Sequence, residues 1–142
     1  MNILFVCTGN TCRSPMAEAI FNHLMSDDKK ARSAGVFASK GSNAAYYARE
    51  VLQENNMKIS HSSELLEETH LTWATLVLTM TAGHKTLLMD RFPGAADKIF
   101  TLKEYVNDNK GELDVLDPYG GGLEVYRETF TELKELIGKM SE

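Results

Sequence analysis

The sequence predicts an α/β fold in which a parallel sheet is covered by helices on both faces, and two observations predict it. Apolar runs of strand length alternate along the chain with stretches of helical period. The first of those runs passes straight into a glycine-containing loop and then a helix, the unit from which open parallel sheets are built by right-handed crossovers. At 142 residues, 43% hydrophobic and 25% charged, the chain is long enough to close one core without disulfide or metal staples. It contains no internal repeat, low-complexity tract or linker, so one domain over residues 1–142 is expected.

The elements follow in order. Residues 2–7 are continuously apolar after Asn2, as in a central parallel strand. Ala17, Ile20, Phe21 and Leu24 then recur at helical spacing, with Pro15 suited to a first turn and Ser14 as a candidate N-cap. A second strand is expected at 31–34, ended by Gly35. Gly41, Ser42 and Asn43 break the chain before a helix whose face carries Ala44, Ala48, Val51 and Leu52. Further strands are expected at 75–80 and 99–102, with helices at 64–72 and 82–92 between them. Tyr126, Phe130, Leu133 and Ile137 mark one face of a C-terminal helix.

The formal net charge of −5 argues against a nucleic-acid partner, which requires a clustered basic face. The apolar start is too short for a signal-peptide core and lacks a basic flank. With two cysteines and no targeting segment, a cytoplasmic location is expected, away from membranes and with thiols reduced.

Ligands of open parallel sheets bind beyond the carboxyl ends of strands. That is where Cys7, Thr8, Gly9, Asn10, Thr11, Cys12, Arg13 and Ser14 lie. A tight loop leading into a helix aims backbone N–H groups inward and adds the positive helix end, forming an anion nest. Gly9 permits unusual φ and Asn10 tolerates it. Arg13 adds a planar fork for two phosphate oxygens. The same field favours a thiolate at Cys7, the nucleophile for in-line attack on phosphorus, and Ser14 can hydrogen-bond its sulfur. Far along the chain, Asp117, Pro118, Tyr119 and three glycines form a loop signal that supplies a carboxylic acid. That acid would protonate the leaving group and then activate water against the cysteinyl-phosphate.

The stretch C-T-G-N-T-C-R-S-P-M-A-E at residues 7–18, together with D-P-Y-G at 117–120, resembles the low-molecular-weight protein tyrosine phosphatases over nearly the whole chain. The resemblance implies a three-layer sandwich with a four-stranded parallel sheet, no metal and no cofactor, and a phosphate loop after the first strand. It implies phosphorylated protein substrates and catalytic roles for Cys7, Arg13 and Asp117. It also implies a hydrogen-bond network behind the loop formed by Asn10, Ser14, Ser33 and His61. A monomer is expected. His23, His70 and His84 lack zinc-ligand spacing and are expected on helix surfaces.

Thr11 occupies a position where the family's tyrosine phosphatases resemble one another in carrying an aliphatic residue. A threonine there can hydrogen-bond a guanidinium, whereas an aliphatic side chain packs on a phenyl ring. With Met16, Ala17 and Glu18 following and an aromatic after Asp117-Pro118, the loop looks like that of the bacterial protein arginine phosphatases. Phosphoarginine is thus the expected substrate and phosphotyrosine the alternative, with Thr11 and Tyr119 setting the choice, Phe37 as a further wall and Gly120 leaving room beside it. Arsenate reductases of this fold use an additional cysteine pair, which two cysteines do not supply; a non-catalytic phosphoprotein-binding module would have no use for Asp117. Cys12 beside Cys7 further predicts redox sensitivity through a disulfide.

Overall fold

The first strand, β1 (Asn2–Cys7), is buried from Ile3 onward and runs through the middle of the sheet. The computed structural model describes residues 1–25, 28–57, 59–107 and 111–141. Strands β2 (Lys30–Gly35), β3 (Leu76–Thr79) and β4 (Ile99–Thr101) complete a four-stranded parallel sheet in the order β2-β1-β3-β4. The expected architecture is therefore present. Cys7 is in register with Gly35, and Val6 lies between Ala34 and Thr79, so the carboxyl ends of the three strands meet beside the loop.

Because side chains alternate across a strand, β1 feeds two cores. Ile3, Phe5 and Cys7 face one cluster with Met16, Ile20, Phe21, Leu133 and Ile137; Leu4 and Val6 face the other with Val77, Leu88 and Ile99. The first cluster is closed by α1 (Arg13–Leu24), α2 (Tyr46–Glu54) and α6 (Leu123–Gly138). The second is closed by α3 (Glu68–Trp73) and α4 (Ala82–Arg91). A short helix α5 (Leu102–Asn107) follows β4. No helix among the described residues is long and apolar enough to cross a membrane.

Several elements differ from expectation, each for a local reason. The helix expected over 64–72 covers only Glu68–Trp73, because residues 64–66 run alongside the end of β2: the Gly35 N–H donates to Glu64 O and the Leu66 N–H to Gly35 O, both at 2.9 Å. The strand expected at 99–102 stops at Thr101. There the Thr101 hydroxyl accepts the Glu104 N–H at 3.0 Å and Glu104 accepts the Thr101 N–H at 2.7 Å, a capping box that starts α5. Ser14 is not a cap, since α1 begins at Arg13. Leu24, at the end of α1, is 41% exposed and lies off the apolar face.

Two of the three histidines expected on helix surfaces are buried. His70 closes the start of α3, its Nδ1 accepting the Glu67 N–H at 3.0 Å and its Nε2 meeting Glu64 at 3.2 Å. His84 lies against the phosphate loop, whereas His23 is exposed.

Candidate active site

The loop between β1 and α1 is shaped by where its carbonyls go. The carbonyl oxygens of Cys7, Thr8 and Thr11 accept from the backbone N–H of Val36, Phe37 and Ala45, at 3.0, 3.0 and 2.8 Å, and the Asn10 carbonyl accepts from His61 Nε2 at 2.7 Å. In a trans peptide the following N–H points the opposite way. Pulling these four carbonyls outward thus turns the N–H groups of Thr8, Gly9, Thr11 and Cys12 toward the concave side, at the N-terminus of α1, as an anion site requires.

Asn10 makes this geometry possible. Its φ of 56° puts it in the left-handed region, which asparagine enters more readily than most residues, and Gly9 is not among the positive-φ glycines. Completely buried, its side chain donates to Ser14 Oγ at 2.8 Å and Ser33 Oγ at 2.9 Å and accepts the Glu64 N–H at 2.9 Å. Ser33 in turn donates to Glu18 at 2.6 Å, and burial pushes the Glu18 carboxyl up from its ordinary range. The structure thus brings Asn10, Ser14, Ser33 and His61 together behind the loop.

The Cys7 sulfur is 2.8 Å from Ser14 Oγ. With both Asn10 N–H and Cys7 on one hydroxyl, Ser14 receives from the amide and donates to the sulfur, the polarity that suits a thiolate. Arg13, 5% exposed, donates through Nη1 to the Val115 carbonyl at 3.1 Å and reaches Asp117 Oδ2 through Nη2 at 3.5 Å. Asp117 is half exposed, and its other oxygen accepts the Tyr119 N–H at 3.0 Å. The segment leading into α6 thereby carries the acid to the mouth of the loop.

A pocket of about 310 Å³ contains Cys7, Arg13, Thr11 and Asp117, with Phe37 and Tyr119 at its rim. Both rim aromatics are exposed. Ser39 and Ser42 also line it, which no sequence signal announced. Gly120 does not line it; its φ of 84° is reason enough for glycine there. Gly35 also serves the site, which no sequence signal announced. A Cβ at that position would lie 2.5 Å from the Thr8 carbonyl oxygen and 2.8 Å from the Asn10 nitrogen, so only glycine lets β2 approach the loop this closely. Both cysteines are free thiols; Cys12 contacts the Tyr126 hydroxyl at 3.2 Å, and burial pushes its thiol up. Among the described residues, no three His, Cys, Asp or Glu side chains come together in a group suited to a metal ion.

A family model for low molecular weight phosphotyrosine protein phosphatases matches residues 2–142. The chain belongs to that family. It is 49% identical to a protein-arginine-phosphatase of Geobacillus stearothermophilus over 140 residues, 99% of this chain and 93% of that one. Among solved structures it is similar to a low molecular weight protein tyrosine phosphatase from T. tengcongensis, with 51% identity, a TM-score of 0.93, and coverage of 99% of this chain and 97% of that one. It is also similar to YwlE arginine phosphatase in a cysteine-to-serine mutant with a phosphorylated active-site serine, with 46% identity, a TM-score of 0.94, and coverage of 99% and 93%. The resemblance carried by residues 7–18 and 117–120 is thus confirmed, and with it a hydrolase of phosphoproteins.

Proposed function

We propose that this protein hydrolyses phosphoarginine on proteins through a cysteinyl-phosphate at Cys7. The observation that carries the reading is the polar wall of the pocket, where Thr11 stands on the same cavity as Asp117 and Arg13. A guanidinium needs acceptors around it, and a carboxylate matches its planar fork. The relatives named above divide between arginine and tyrosine phosphatases, and the polar wall of the pocket supports the former.

In the first step Cys7 Sγ forms a bond to phosphorus as the P–N bond breaks, and Asp117 gives its proton to the departing guanidino nitrogen. Arg13 and the loop amides hold the three remaining oxygens as charge shifts across the transition state. Ser14 then stabilises the sulfur as it leaves. In the second step Asp117 takes a proton from water while the new O–P bond forms and the S–P bond breaks, releasing inorganic phosphate. The reading includes a monomeric enzyme in a reducing bacterial cytoplasm; two free buried thiols support that compartment.

Matched peptides carrying phosphoarginine or phosphotyrosine test the substrate. Phosphate release from phosphoarginine is expected to be faster, abolished in Cys7→Ser, and equal or slower release overturns the assignment. Cys12 shares the pocket with Cys7, which supports a redox role. Peroxide should cause a loss of activity that thiols reverse, with an intramolecular disulfide visible by mass; irreversible loss would sink that role.

A further inference from the structure

Beyond the loop amides and Arg13, one side chain of the pocket has a fixed hydroxyl whose purpose the mechanism above does not use. Thr8 is exposed into the pocket that holds Cys7 and Arg13, and its Oγ1 lies 2.9 Å from His84 Nε2. His84 is 8% exposed in the first turn of α4, anchored by its own N–H to the Thr81 hydroxyl at 3.0 Å. The imidazole therefore comes from a different layer of the fold to meet a loop residue 76 positions away.

The direction of that hydrogen bond follows from the other ring nitrogen. Nδ1 of His84 is the only buried side-chain nitrogen or oxygen among the described residues without a hydrogen-bond partner. An orphaned buried N–H is rarer than an under-used acceptor, so Nδ1 is the bare acceptor and the proton sits on Nε2. Burial and the nearby Arg13 charge push the ring down to about 4, outweighing the opposite pull of Asp114 and Asp117, and keep it neutral at physiological pH. Nε2–H then donates to Thr8 Oγ1. The hydroxyl hydrogen is left to point away from the ring, on the side open to the pocket.

We propose that the Thr8 hydroxyl, oriented by His84, is an additional hydrogen-bond donor to the phosphoryl group bound over Cys7. Thr8 touches substrate and His84 is a positioning residue behind it. The proposal rests on the phosphatase reading of this pocket but not on the identity of the leaving group. Its test therefore uses anions that have none.

Inhibition constants for inorganic phosphate and orthovanadate, with kcat and KM for p-nitrophenyl phosphate, are measured at neutral pH. Thr8→Val should weaken both anions roughly tenfold, the scale of one hydrogen bond to a charged group. Thr8→Ser should restore them. His84→Leu should weaken them too, whereas His84→Gln, whose amide can replace the Nε2 donor, should recover most of the loss. In a Thr8→Val background His84→Leu should have no further effect on the anions, though it lowers thermal stability in both backgrounds. Unchanged anion affinity in Thr8→Val overturns the proposal, including the case in which only the substrate preference moves, which would place the hydroxyl against the leaving group. An equal effect of His84→Leu with and without the Thr8 hydroxyl would reduce His84 to structural support and overturn the positioning role. If His84→Leu fails to fold, the Val and Ser variants of Thr8 with His84→Gln decide.

Discussion

A Cβ at position 35 would meet the Thr8 carbonyl oxygen at 2.5 Å and the Asn10 nitrogen at 2.8 Å, both backbone atoms that cannot swing aside. Gly35→Ala should therefore displace the loop, destabilising the protein by about 1–3 kcal/mol, the usual scale of overpacking. Denaturant titration measures that loss, and kcat/KM should fall with it. If Asp117 is the proton donor, as proposed, Asp117→Asn should lower kcat by a factor on the order of 10²–10⁴ while the loop amides still bind phosphate. Stopped-flow release of the leaving group would show the loss in the first step. At this scale legibility depended on distance along the chain. Cys7, Asn10, Arg13 and Ser14 act within eight residues, so their spacing displays their joint use. Ser39 and Ser42 line the pocket, and Gly35 and His84 contact its loop, from remote segments, and nothing local marks them.

The elements that hold the site are legible from continuous apolar runs where both faces are buried and from helical periodicity where one face is. β1, α1 and α6 were clear because Ile3 to Val6 are buried on both faces of the sheet and Tyr126, Phe130, Leu133 and Ile137 share one stripe. Residues 64–66 misled because Leu65 and Leu66 continue an apolar pattern that backbone pairing with Gly35 uses in extended form. The start of α5 was present in the sequence as T-L-K-E at residues 101–104, a capping box hidden by the apolar run before it. Leu133 is fully buried between α6 and the sheet. Leu133→Ala should cost about 2–5 kcal/mol on thermal or denaturant unfolding; a change within error would mean that α6 does not seal that core.

For the whole molecule, the buried His84 couples the site to pH. Its ring is held at about 4 when folded, against an ordinary value of 6.5, so the unfolded chain binds more protons between these limits. The contribution is fully present above pH 6.5 and is lost as pH falls toward 4. His84→Gln should flatten the stability profile across that window, and unfolding midpoints at pH 4.5 and 7 compare it with the parent. The sheet order places the carboxyl ends of β1 and β2 at the phosphate loop, and the segment before α6 carries Asp117 over it, so Cys7 and Asp117 meet in one pocket from opposite ends of the sequence. The polar residue on which the arginine reading turns is Thr11, which lines the same cavity as Cys7. The ratio of kcat/KM for phosphoarginine to that for phosphotyrosine, measured on one peptide scaffold in the parent and in Thr11→Ile, reads that feature alone. A ratio above one that falls in Thr11→Ile is the expected result; a ratio at or below one in the parent, or one that Thr11→Ile leaves unchanged, contradicts it.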